Sequence, residues 1–320
     1  MIVEQRSMKR PEGGGESPWP HRLALVTAGA TFLLILAGGV VTTTGAGLAV
    51  PDWPTTFGYN MFLYPWAKMT GGILYEHSHR LIGSLVGLLT LTLAIVLWAV
   101  ERRRWVRWLG LAALLAVIVQ GVLGGLRVVL VAEQLALLHG ALAHAFLGLA
   151  ASLALFTSQA WRGQATPLPV EVAGRLRSWA LVVTVATYLQ IVLGAVLTHT
   201  GSGLEAHVGV AALLSVLVVV LTQRISSRLA DWPELVRPAR FLRLFWILQL
   251  ILGLGAYAVR LGGPQVPMAA LLALAFPVAH RLGAGFMLVA SLVLTLQVFR
   301  ASRLGTLATV ENPVRGKVPA

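Results

Sequence analysis

The stretch YEHSHRLIGSLVGLLTLTLAIVLWAVERRR, residues 75–104, decides the fold. Between Leu81 and Val100 it carries no ionisable side chain. A helix of about twenty residues rises far enough to cross a roughly 30 Å hydrocarbon core. Glu76, His77, His79 and Arg80 stand at its entrance, and Glu101 with Arg102, Arg103 and Arg104 closes it. In lipid a free backbone amide has no partner, so the stretch must be helical. The same pattern recurs along the chain, giving eight expected spans near 23–44, 79–100, 106–127, 138–159, 178–199, 206–223, 241–259 and 279–299. The 320 residues are 57% hydrophobic and 12% charged, with mean hydropathy +0.79. These values exclude an ordinary soluble domain and imply an all-α polytopic membrane protein.

A net charge of +13 raises the question of a polyanion partner. The loops answer it, because 20 of the 25 basic residues fall on one side of the expected membrane. They precede the first span, lie at 102–107, 162–177 and 224–243, and follow the last span. Lys68, Arg80, Arg127, Arg260 and Arg281 fall on the other side. Positive-inside bias accounts for this distribution without nucleic acid, and it puts both termini in the cytoplasm. There is no cysteine, so neither a disulfide nor thiolate metal ligation is available. The first apolar run is longer than a signal-peptide core, so an uncleaved span is expected.

The two halves resemble each other. Thr42-Thr43-Thr44-Gly45-Ala46-Gly47-Leu48 ends the first span, and Thr198-His199-Thr200-Gly201-Ser202-Gly203-Leu204 ends the fifth. Gln120-x-x-Leu123-Gly124 recurs at Gln249-x-x-Leu252-Gly253, and a third copy at Gln190-x-x-Leu193-Gly194 blurs the register. Two pseudo-symmetric four-helix bundles are the economical reading. The expected divisions are an N-terminal tail 1–20, a first bundle 21–160, a cytoplasmic connector 161–177, a second bundle 178–302 and a tail 303–320. The outer loop 46–75 is long and aromatic. Residues 260–278, apolar and broken by Pro and Gly, suit a re-entrant or interfacial lid.

His79, His139, His207 and His280 each open an even-numbered span on the outer side. Two histidines at one depth on facing helices can clamp a haem from both faces. Zinc would need three or four ligands around one point, and each half offers only two such histidines and at most one carboxylate. Glu76 and His79, three apart, share a helix face, whereas His77 points about 200° away from His79. His144 reads as a satisfied polar group between helices and His199 as a solvated one. Arg80 and Arg281 directly follow proposed ligands, while Arg127 and Arg260 close spans three and seven. Arginine forks suit haem propionates. The three glutamines read as hydrogen-bond links between helices.

Gly-Ala-Gly-Leu-Ala-Val-Pro-Asp-Trp-Pro at 45–54, followed by Tyr-Glu-His-Ser-His-Arg at 75–80, resembles the haem A synthase family across residues 22–300. The resemblance implies oxidation of the C8 methyl of haem O to a formyl group for cytochrome oxidase maturation, in a bacterial cytoplasmic membrane. It implies that Glu76, His79 and His139 form the substrate-haem site and that His207 and His280 hold a resident haem b. Haem O synthase and an electron donor are the implied partners, and a homo-oligomer is compatible with it. Many bacterial members carry cysteine pairs in the outer loops, and this chain has none. Aligning His79 with His207 puts Leu204 in the place of Glu76, so the acid exists in the first half alone. The rival reading is a di-haem b electron carrier linked to quinone. A cofactor-free transporter fits less well, because the polar groups cluster at the outer ends of the spans.

Overall fold

The computed structural model describes residues 17–262 and 267–311. Among them the long helices are α1 (Trp19–Thr43), α2 (Gly71–Val100), α3 (Arg104–Val129), α4 (Glu133–Thr157), α6 (Val170–Thr200), α7 (Leu204–Arg228), α8 (Pro233–Gly262) and α9 (Pro267–Glu311). A short helix α5 (Gln159–Arg162) follows α4, capped by the Ser158 hydroxyl on the Trp161 amide. The eight long helices are each apolar and long enough to cross a membrane. Threonines and serines within them return hydroxyls to carbonyls one turn back, as Thr27, Thr90, Ser152 and Thr222 do, which satisfies those hydroxyls without water.

The duplicated Thr-x-Thr-Gly motif has one structural meaning in both halves. Gly45 after α1 and Gly201 after α6 take left-handed backbone, φ 69° and 71°, which ends each helix. In the first half α1 packs on α2, α2 on α3, α3 on α4 and α4 on α1. In the second, α6, α7, α8 and α9 pack in the same cyclic order. The halves meet where α9 touches α1 and α4, and where α4 touches α6. Accordingly α4 and α9 are the most enclosed helices, with 67% and 56% of their apolar windows buried against 6–28% for the rest.

Three expectations change. The helices begin earlier than the apolar runs, so His79 and His280 lie well inside α2 and α9 rather than at their entrances. The connector 161–177 is helical from Val170 onward. Residues 260–278 are not a re-entrant lid: α8 runs to Gly262 and α9 starts at Pro267, while 263–266 lie outside the described residues. The prolines do not forbid this, because a proline in the first helical turn forfeits no hydrogen bond. Pro277 sits inside α9.

At the basic end, buried Glu101 ties the α2–α3 turn to α5. Its carboxylate accepts from Arg103 and Arg162, each at 2.9 Å.

Candidate functional site

Each of the four helical hairpins repeats one contact. A Cβ built on Gly38 of α1 would lie 3.0 Å from Cε1 of His79 on α2. The same holds for Gly124 and His139 at 3.2 Å, Gly194 and His207 at 3.2 Å, and Gly253 and His280 at 3.0 Å. Glycine at these positions lets the imidazole lie on the neighbouring backbone without the tight contact that a Cβ would make. The glutamines sit one turn before three of these glycines. Gln120, Gln190 and Gln249 donate Nε2–H to the carbonyls of His139, His207 and His280 at 3.3, 2.9 and 2.9 Å. The triple occurrence that blurred the repeat thus marks the helix that receives a histidine. From sequence the glycines beside the glutamines read as sites of close helix approach; that each faces a histidine ring, and that Gly38 does the same, appears only in the structure.

The histidines meet in pairs. His79 and His139 have ring centres 6.3 Å apart with planes at 83°. His207 and His280 have ring centres 6.3 Å apart with planes at 73°. Metal–imidazole bonds of about 2.0–2.1 Å, extended by roughly 1.1 Å from each nitrogen to its ring centre, put the rings of a bis-histidine iron about 6.3 Å apart. The residues present therefore fit a haem in each half. In the first pair the His139 Nδ1 lies 3.1 Å from the Gln120 carbonyl, which leaves Nε2 as the free donor to metal.

Glu76 is buried at the entrance of this first pair. Its Oε2 accepts the Val50 amide at 2.9 Å and its Oε1 accepts Arg80 at 2.8 Å. Arg80 also donates to the carbonyls of Val50, Asp52 and Thr55. All four terminal N–H groups are then engaged, so Arg80 offers no free fork to a propionate and organises the outer loop instead. Asp52 secures the loop from within, accepting from Thr55 Oγ1 and the Phe57 and Gly58 amides. Burial alone would raise the Asp52 pKa, but these hydrogen bonds outweigh it and hold the carboxyl below its ordinary value. His77, on the other face of α2, meets Thr56 Oγ1 at 3.1 Å and the Tyr64 ring. The loop also reaches α3, where Trp53 lies on Gly125 beside the His139 cradle and Arg127 donates to the Gly47 carbonyl at 2.7 Å.

Arg281 stitches the halves together, donating to Thr43 Oγ1 at 2.7 Å and to the Gly39 carbonyl at 3.2 Å. Arg260 stands near Gly201 at the end of α6. His144 is buried between the halves, facing the carbonyls of Gly140 and Arg281. His199 lies on the last turn of α6.

The sequence matches the cytochrome oxidase assembly protein family over residues 21–312. The chain belongs to this family. Its curated relatives include proteins named Heme A synthase. The one from Shouchella clausii (strain KSM-K16) is 30% identical over 190 residues, covering 57% of this chain and 60% of the relative. That from Lysinibacillus sphaericus (strain C3-41) is 31% identical over 176 residues, covering 54% and 56%. That from Methylobacterium sp. (strain 4-46) is 28% identical over 218 residues, covering 58% of each. The chain spans 56–60% of the length of these curated relatives. In this family member both histidine pairs fall inside the matched segment.

Proposed function

We propose that the protein is a haem A synthase, oxidising the C8 methyl of haem O in two steps, methyl to alcohol and alcohol to hydrated aldehyde. The observation that carries the reading is the asymmetry between two sites of equal ring spacing. Both pairs have ring centres 6.3 Å apart, but only His79 has a carboxylate three residues before it. The corresponding residue before His207 is Leu204. A site with a buried acid suits chemistry, and a site without one suits a retained carrier.

In this reading residues 21–160 hold the substrate haem through His79 and His139. Residues 178–302 hold haem b through His207 and His280, and when bound it supplies one-electron chemistry. Glu76 takes up the proton released from the methyl carbon or the attacking water. Its oxygens each keep a second lone pair beyond the Val50 and Arg80 hydrogen bonds. Arg80 holds that carboxylate in place through their 2.8 Å ion pair, so it is a positioning residue. Arg127, Arg260 and Arg281 are the arginines offered to propionates, Arg80 being committed to the loop. The outer loop excludes water from the Glu76 side. The basic ends face the cytoplasm of a bacterial cell, with haem O synthase and an electron donor as partners.

Co-expression with a source of haem O tests the reading. Chromatography of extracted haems should give haem A or its alcohol precursor from the native chain. The equal geometry of the two pairs also favours a second reading, a di-haem b electron carrier. That reading predicts haem b alone.

A further inference from the structure

The repeated hairpin unit has three parts: a glycine facing a histidine ring, and a glutamine four residues earlier bracing that histidine's carbonyl. The unit is complete at Gln120, Gly124 and His139, at Gln190, Gly194 and His207, and at Gln249, Gly253 and His280. It breaks once. Four residues before Gly38 stands Leu34, whose side chain lies against α2 at Gly83. His79 therefore has no amide brace on its carbonyl; its buried Nδ1 does not set it apart, since that of His280 is equally without a hydrogen bond. Its partner His139 is held twice, by the Gln120 side chain and by the Gln120 carbonyl.

We propose that His79 is the displaceable ligand of the substrate haem and that His139 is the retained one. The inference rests on the reading of the first half as the substrate site. A glutamine on the histidine's main-chain carbonyl fixes the helical turn that carries the imidazole, and losing an outer-shell partner of a ligand typically costs about 10–100-fold in metal affinity. In the second half both histidines carry a glutamine brace, as a permanently held haem requires. In the first half one does not, as a haem that must enter and leave requires. Iron held by two imidazoles has no open position. When the bond to His79 opens, its electron pair returns to the ring and no electron or proton is transferred. The freed position lies on the α2 side, where Glu76 sits one turn away.

The test uses the full chain in detergent, loaded with haem O and reduced, with carbon monoxide as the probe. The account expects one of the two haems to bind carbon monoxide. Leu34→Gln, which completes the fourth unit, should slow that binding about tenfold, while Leu34→Met leaves it unchanged. His79→Ala should keep the first-half haem as a five-coordinate species, and His139→Ala should lose it. Equal binding rates in Leu34→Gln, Leu34→Met and the native chain would overturn the proposal. So would retention of that haem by His139→Ala and its loss from His79→Ala, a comparison that decides the matter if Leu34→Gln does not fold. Failure of any haem to bind carbon monoxide overturns it as well. A native chain that takes up haem in the second half alone refutes the substrate-site reading, and the proposal falls with it. Two bound haems with indistinguishable histidines sink the ligand assignment only.

Discussion

Replacing Gly253 by alanine puts a number on the glycine cradle. The added Cβ would stand 3.0 Å from Cε1 of His280, whereas comfortable carbon–carbon contact is about 3.5–4.0 Å. Ring and backbone must separate by a few tenths of an ångström, and overpacking of this kind costs about 1–3 kcal/mol. With a factor of ten per 1.36 kcal/mol, a strain felt only in the ligated geometry weakens haem retention about 5- to 150-fold. Gly29 on α1 is the control, since a Cβ there meets nothing within 4 Å. Both changes gain the same helix preference of alanine over glycine, about 0.5–1 kcal/mol, so the difference isolates the contact. The assay is transfer of haem b from the purified protein to an excess of apo-globin. If Gly253→Ala releases haem no faster than Gly29→Ala and the native chain, the cradle does not position the ligand and the reasoning is wrong.

Glu76→Gln should keep both haem sites but lower haem A formation about 100-fold or more, with Glu76→Asp retaining part, as read by chromatography of extracted haems. Arg80→Leu leaves a buried carboxylate unpaired, a loss of about 3–5 kcal/mol at such sites, and should expose the 46–70 loop to protease. Asp52 has a depressed pKa in the folded loop. Its stabilisation is present above the unfolded value near 3.9 and lost as pH falls through the lower folded value. Hydrogen exchange at the Phe57 and Gly58 amides should therefore show loop opening that does not vary between pH 5 and 8, and Asp52→Asn should raise it throughout.

The spans, the four histidines and the one-sided acid were legible because each leaves a local mark: an apolar run, an imidazole at its edge, a carboxylate three residues away. Helix ends were not. Residues 71–78 are polar enough to look like loop, yet they are helical because the 46–70 segment folds over them and supplies partners such as Val50 and Thr56. Such contacts are long-range and have no sequence period. The 260–278 stretch misled for a different reason, since Pro and Gly suggested a break where Pro267 merely opens α9. The glutamines carried a legible motif whose meaning appeared only when Gln120, Gln190 and Gln249 were each seen on the carbonyl of a paired histidine.

The most direct test is the haem complement of two variants measured side by side after co-expression with a haem O source. The account predicts that His280→Ala loses haem b while retaining haem O or its oxidised products, and that His139→Ala does the reverse. Loss of the same haem from both variants, or of none from either, would contradict the assignment of one haem to each histidine pair.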